Sequence, residues 1–279
     1  MNPQAANRVP IDEHTLRDAV AGTRWQSVRV VEETGSTNAD LVALAASTDS
    51  VGSVLVAEHQ SAGRGRHARH WESPPRTQVA MSVAVAADSP DAPSALGWLP
   101  LLTGLAVVEG IRAVSDLAPV LKWPNDVLLP EPGGTTDGVG GRKVCGILAE
   151  LTRGPSGTVA IIGMGINVSL TEAELPVPTA ISLDLAGADV SRQDLAAAVL
   201  TALSRRLQQW PQDLDGLRRD YRDNCVTLGH QVRVELPLDE QLEGAAVEID
   251  NTGRVVVEDA TGKRVAVAAG DVTHLRVTD

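Results

Sequence analysis

The chain has 279 residues and a formal net charge of -12, with 24 Lys and Arg against 36 Asp and Glu, a balance that argues against nucleic acid as its main partner. Phe is absent and aromatic residues make up 2% of the chain, so Val, Leu, Ile and Ala must fill the interior of one large domain or two unequal ones. Cys145 and Cys225 lie far apart, without CxxC or Cys/His spacing, which suggests neither a disulfide framework nor a zinc site. Residues 1–20 contain no apolar core of a signal peptide, and the most apolar stretch, Leu96 to Val114, is broken by Pro100, Gly104, Glu109 and Arg112. A soluble cytoplasmic protein, with neither DNA nor membrane as partner, is expected.

In chain order, residues 1–28 read as a lead-in with one helix over Asp12 to Ala21, too short for a helix-turn-helix domain. Arg29 to Glu32 alternates as a strand, and Ser36-Thr37-Asn38 supplies capping chemistry for a helix running through Leu41, Leu44 and Ala45. Strands are predicted at Val51 to Gln60 and Val79 to Ala86, a buried helix over 96–114, and a strand over Pro119 to Trp123. The glycine-rich stretch Pro132 to Gly141 has loop composition. Lys143 to Thr152 and Thr158 to Val168 read as paired strands across the turn at Gly154 to Gly157, followed by helices over Ser191 to Gln209 and Asp213 to Asn224. From residue 228 the period drops to two: Val232, Val234 and Leu236, then Val247 and Ile249, Val255 and Val257, Val265 and Val267. Short strands and tight turns within about fifty residues predict a small β-barrel. The fold class is therefore α+β, a mixed body with an all-β tail.

Five clusters carry chemistry. Gly63-Arg64-Gly65-Arg66-His67-Ala68-Arg69-His70-Trp71 is a glycine-punctuated basic knot on an acidic chain; glycine allows close backbone approach and arginine offers a planar fork to phosphate or carboxylate. His67 and His70 form an HxxH pair without further ligands. Thr34-Gly35-Ser36-Thr37-Asn38 places hydroxyls and an amide at a helix N-terminus, though a plain N-cap would read the same. Lys122-Trp123-Pro124-Asn125-Asp126 joins a cation, an indole, an amide and a carboxylate, and equally suits a strand-to-turn junction. Lys143 opens a buried strand, and Gly163-Met164-Gly165-Ile166-Asn167 puts glycines where something approaches a backbone closely. Together the clusters suit a nucleotide phosphate plus a neutral polar ligand. No P-loop, Rossmann fingerprint or GxSxG elbow is present, so the site would work by positioning and charge stabilisation.

In this order GRGRHARHW, KWPND, KVCGIL and GMGIN closely resemble the biotin protein ligases, over roughly residues 30–275. The resemblance implies a class II aminoacyl-tRNA synthetase-like mixed sheet with flanking helices over 29–227 as the catalytic biotin/ATP-binding domain, and an SH3-like barrel over 228–279. It implies ATP and biotin as substrates with Mg²⁺, biotinyl-5′-AMP as intermediate, and a lysine on the biotin carboxyl carrier domain of biotin-dependent carboxylases as acceptor. By the same pattern Lys143 sits against the biotin carboxylate and the α-phosphate as the main catalytic residue, with Lys122 a second cation on the ATP side. Arg64, Arg66 and Arg69 would clamp the phosphates and close over the adenylate, excluding water. Ser36, Thr37, Asn38 and Gln60, the backbone of Gly63 and Arg64, and the strand glycines Gly146 and Gly163 would hold biotin. Trp71 and Trp123 would give apolar walls, Trp123 on the nucleotide side, and Asn125, Asp126 and Asn167 would orient ATP, with Asp126 the candidate for its metal.

Two places depart from the family pattern. Ala68 stands where a glycine is common, which implies a stiffer loop, and the stretch 131–142 is longer than the usual connection. The lead-in has no winged-helix domain, so no operator-binding role is expected. The family includes monomers and dimers, which leaves the oligomeric state open. Two other readings remain: a lipoate protein ligase, which shares the fold and the adenylation logic, and a non-catalytic biotin or nucleotide sensor.

Overall fold

The structure, a computed structural model, describes residues 8–88, 95–130, 141–235, 241–268 and 271–274. Helix α1, Glu13–Ala19, is capped by the Asp12 carboxylate, which accepts from Thr15 N–H at 2.7 Å. Strand β1, Ser27–Thr34, leads to α2, Thr37–Ser47, capped by Ser36. Strands β2, Ser53–Gln60, and β3, Gln78–Ala86, come next, then α3, Trp98–Val114. Strands β4, Val120–Lys122, and β5, Asp126–Pro130, make a tight hairpin, and β6, Gly141–Gly154, and β7, Gly157–Asn167, a long one. Helices α4, Arg192–Gln209, and α5, Leu214–Asn224, close the body.

The sheet order is β1-β2-β3-β7-β6-β5-β4, parallel only between β1 and β2. Strand β3 shows how sequence sets the layers. Val79, Met81, Val83 and Val85 enter the large core shared with α3 and α4, whereas Ala84 joins the smaller core with Leu41 and Ala45 of α2. Successive side chains of a strand point to opposite faces, so Gln78, Ala80 and Ser82 fall on the α2 face. The same alternation in β7 sends Ile162, Met164 and Ile166 to the large core and leaves Gly163, Gly165 and Asn167 on the opposite face.

The alternation breaks once, at the start of β6. Val127 of β5 pairs with Cys145 and Leu128 with Lys143, so Val144 is an extra residue, a β-bulge. Val144 and Cys145 are both buried in the large core. Unbroken alternation would have sent Lys143 the same way as Cys145; the bulge instead puts it on the face of Gly146 and Leu148.

The tail is a five-stranded antiparallel sheet in the order β11-β10-β9-β8-β12, from β8, Gln231–Glu235, β9, Gln241–Ile249, β10, Val255–Glu258, β11, Arg264–Val267, and β12, Asp271–His274. Val232, Val234, Ile249, Val255, Val257 and Val267 form its interior. Its β9–β10 turn docks on the body: Trp98 and Trp123 donate their indole N–H groups to Asn251 O at 3.1 Å and Gly253 O at 3.0 Å. A Cβ at Gly97 would stand 2.2 Å from Thr252 O, so the contact requires glycine there.

The α+β body with an all-β tail matches the sequence expectation, with two additions, β5 and β12. The Pro124-Asn125-Asp126 turn signal hid β5, whose first residue is Asp126. The glycine-rich residues 131–140, and Leu236, lie outside the described residues.

Candidate active site

The α2 face of the sheet, the Gly63–Trp71 loop and the tip of the β4–β5 hairpin enclose a cavity of about 610 Å³, within the range of about 300–1,000 Å³ usual for small-molecule sites. Ser36, Thr37 and Asn38 line it from the start of α2, Gln60 from the end of β2, and Arg64, Arg66, Arg69 and Trp71 from the loop. Lys122 to Asp126 line it from the hairpin, Lys143 and Gly146 from β6, and Gly163 and Asn167 from β7. Gly63 stands behind the wall, where a Cβ would lie 2.2 Å from Trp71 O. Gly165 and Leu148, which the motif clusters contained without a ligand role, also line the cavity, as do Pro176, Val177, Thr179 and Ala180 and Glu235 of the barrel, which no motif had marked.

At the α2 end the polar groups bind one another. The backbone N–H and hydroxyl of Thr37 point to Gln60 Oε1 at 2.9 and 3.1 Å, and Thr37 Oγ1 lies 2.7 Å from Ser82 Oγ. The Ser82 hydroxyl donates to Asn38 Oδ1 at 2.6 Å, and Asn38 Nδ2 donates to Glu150 Oε2 at 2.8 Å. Asn38 rests on Gly163, where a Cβ would come within 2.3 Å of its Oδ1. Arg64 Nη2 reaches the same Glu150 oxygen at 3.1 Å, which joins the loop to the network. Beneath it, buried Glu58 of β2 accepts from Arg192 Nη2 at 2.6 Å and from Ile11 N–H at 2.6 Å, while Arg192 also donates to Gln78 O and Val9 O. Burial pulls the Arg192 guanidinium below its ordinary pKa against the attraction of Glu58. A cation in the first turn of a helix opposes the helix dipole, so Arg192 right after the Ser191 cap was a legible sign of a buried partner.

The centre of the cavity floor is Lys143. Its ammonium lies 2.5 Å from Asp126 Oδ1 and 5.4 Å from the centre of the Trp71 ring, an ion pair combined with a cation–π contact. Trp71 is fixed by Nε1–H donation to Gln78 Oε1 at 2.6 Å. It lies against Gly165 and Gly146, where a Cβ would come within 2.4 and 2.9 Å of the indole. Close approach of a ring to strand backbone is thus what these two glycines supply.

At the hairpin end, Lys122 and Asp126 are opposite partners in the β4–β5 ladder, with Trp123, Pro124 and Asn125 as the connecting turn. Asn125 donates to Ile147 O at 2.9 Å and accepts from Arg66 Nη1 at 3.1 Å. Trp123 lines the cavity but is almost fully buried, with its N–H groups turned to Thr227 Oγ1 and to the barrel at Gly253 O. Asn167 Nδ2 donates to Ile181 O at 3.1 Å. In the loop the positive φ falls at His67 (54°), next to Ala68; histidine is among the residues that tolerate this region better than most. Among the described residues no group of three or more His, Cys, Asp and Glu could hold a metal ion. Cys145 is buried under the floor, and burial raises its thiol pKa far above the ordinary range, which makes it inert.

Comparison with known proteins agrees with this layout. The sequence profile described as the Biotin/lipoate A/B protein ligase family matches residues 30–167, and that of the Biotin protein ligase C terminal domain matches residues 227–275. The biotin–[acetyl-CoA-carboxylase] ligase of Mycobacterium tuberculosis is 42% identical, over 96% of this chain and 97% of that protein. The bifunctional ligase/repressor BirA of Escherichia coli is 31% identical over 74% of this chain and 62% of its own length. Among solved structures, the biotin protein ligase from Aquifex aeolicus in complex with biotin and ATP superposes with a TM-score of 0.73 at 25% identity, covering 90% of this chain and 100% of that one. The chain belongs to the biotin protein ligase family.

Proposed function

We propose that the protein is an ATP-dependent biotin protein ligase that works in two half-reactions within the one cavity. A carboxylate oxygen of biotin attacks the α-phosphorus of ATP, the bond to the bridging oxygen breaks, and pyrophosphate leaves, giving biotinyl-5′-AMP. The neutral ε-amine of a lysine on a biotin carboxyl carrier domain then attacks the adenylate's carbonyl carbon; the amide forms, AMP departs, and the surplus proton passes to solvent. The observation that carries the reading is the placing of Lys143, whose ammonium stands on the floor between the neutral polar network of the α2 end and the cations and amides of the hairpin end.

The hydroxyls and amides of Thr37, Asn38 and Gln60 that line the α2 end suit the uncharged ureido group of biotin, whose N–H and C=O groups need acceptors and donors once buried. The first step brings two anions together, and a fixed cation at their meeting point offsets the repulsion and the charge that grows on phosphorus. Asp126 keeps the Lys143 ammonium aimed into the cavity until those anions arrive. Arg64, Arg66 and Arg69 on the loop would cover the phosphates and keep water from the mixed anhydride. Asp126, with one oxygen on Lys143, is the residue that would hold an Mg²⁺ brought with ATP, and such an ion would offset charge on the phosphates.

The test is biotin-dependent exchange of labelled pyrophosphate into ATP. Lys143→Ala should lower the exchange rate by on the order of 10²–10³ while the thermal melt stays in place, since the side chain is partly exposed. Exchange near the parental rate would remove Lys143 from the chemistry. Label transfer from lipoate rather than biotin would overturn the substrate assignment, and tight biotin binding without exchange would favour a sensor.

A further inference from the structure

The backbone of Lys143 is not paired as its neighbours are. The β6–β7 ladder begins at Cys145 with Ile166, so β7 does not reach Lys143. A separate segment takes its place: Lys143 N–H donates to Thr179 O at 2.7 Å, Ile181 N–H donates to Lys143 O at 3.0 Å, and Ala180 forms the bridge partner. This strap, residues 179–183, lies beside the bulge that brings Lys143 to the cavity face.

The strap is itself fastened from the end of β7. Asn167 Nδ2 donates to Ile181 O at 3.1 Å, and Leu183 N–H donates to Asn167 O at 3.1 Å. Fully buried Ser182 donates from Oγ to Leu170 O at 2.7 Å and accepts from Leu185 N–H at 3.3 Å. The Arg142–Glu172 pair, at 3.0 and 3.1 Å, ties the residue before Lys143 to the segment that leads into the strap. The bulge leaves Val144 as the extra residue and bends the strand there. Lys143, next to it, is held by the strap on both its N–H and its C=O.

We propose that the strap is a clamp that fixes the catalytic lysine, and that Ser182 is a positioning residue acting through Lys143; this rests on the reading of Lys143 as the charge-stabilising group. Ser182 touches the cavity nowhere, so its effect on the reaction must pass through the strap. A displacement of about 1 Å in a positioned group can cost on the order of 10²-fold in rate, and Ser182→Ala releases the strap's buried anchor without adding bulk.

The experiment is a double-mutant cycle on pyrophosphate exchange with the parent, Ser182→Ala, Lys143→Ala and the pair. Ser182→Ala is expected to lower kcat by on the order of 10²-fold while KM for biotin moves less than about threefold. In the Lys143→Ala background the same change should alter the rate less than about twofold, because residues acting as a unit are non-additive. Additive losses, or a folded Ser182→Ala with unchanged kcat, would overturn the clamp. If Ser182→Ala fails to fold, Ser182→Cys serves in the same cycle, since a thiol fills the site but donates only weakly to Leu170 O. Should the parent lack exchange activity, the functional reading fails, and the clamp is judged by amide hydrogen exchange. Ser182→Ala should then speed exchange at Lys143 and Ile181 by about tenfold, the equivalent of one buried hydrogen bond, and unchanged protection rules the clamp out.

Discussion

At the α2 end of the cavity, Thr37, Gln60, Ser82 and Asn38 come from a helix start and two central strands, and they bind one another before any ligand is present. At the hairpin end the wall is assembled from parts distant in the chain, the Gly63–Trp71 loop and the β4–β5 tip, and the barrel turn braces that tip from behind through Trp123. A preorganised pocket loses little freedom on binding, whereas an assembled one gains order as it closes. Under the proposed function, the α2 end would be the rigid seat for biotin and the hairpin end a wall that closes on ATP, a division of labour suited to a reaction whose intermediate must be kept from water.

The largest expected effect lies under the rigid end. Arg192 is buried against Glu58 and ties β2, β3, α4 and residues 9–11 together. Removing one partner of a buried pair strands the other charge, at a cost of about 3–5 kcal/mol. Arg192→Met should therefore lower unfolding stability by that amount in denaturant titrations and abolish high-affinity biotin binding. A loss below about 1 kcal/mol would mean that the α2 end owes its order to something other than this pair.

Ser82→Ala comes next and separates the two ends directly. It removes the donor to Asn38 Oδ1 and the partner of Thr37 in a fully buried site, which costs about 1–3 kcal/mol. Calorimetry should show biotin affinity reduced by about tenfold, equivalent to about 1.4 kcal/mol, with KM for ATP nearly unchanged. Equal losses for both ligands would erase the distinction between a rigid and an assembled end.

Why Ser82, Gln78 and Glu150 escaped the sequence reading is physical. They belong to no motif and do not line the cavity; they brace Trp71, Thr37 and Asn38, which do, and only the face Gln78 and Ser82 share with the small residues Ala80 and Ala84 of β3 marks them as its support. Large residues on one face and small ones on the other, as in Gln78 to Ala86, were a usable signal. The clusters themselves were legible because a reactive floor needs glycine backbone, fixed cations and amides at short spacing. What sequence spacing could not place is the direction of a side chain once a bulge intervenes: Lys143 faces the cavity because Val144 is extra. Nor could it show that Trp123 would turn its N–H groups to Thr227 and the barrel, since that pairing spans 104 to 130 residues of chain.

The barrel's share in the hairpin end gives the smallest prediction. The turn that accepts the two indole N–H groups is shaped by Asp250, which accepts from Thr252 N–H and Oγ1 at 2.8 Å, from Arg254 N–H at 3.0 Å and from Arg254 Nε at 2.7 Å. Partial burial pulls its carboxyl pKa up, but these donors outweigh it and hold the pKa below the ordinary 3.8. A depressed folded pKa means that the carboxylate stabilises the fold fully above the unfolded value and ceases to do so as pH falls through the folded one. Asp250→Asn should thus lower Tm at neutral pH by about 2–4 °C, for a net loss near 1 kcal/mol. The gap from the parent should shrink below about pH 4 as the parent's own carboxylate takes up its proton. Because the turn reaches the cavity wall through Trp123 of the hairpin, the variant should weaken ATP more than biotin. An equal shift in both would mean that the barrel braces the whole cavity and that the two ends are not built independently.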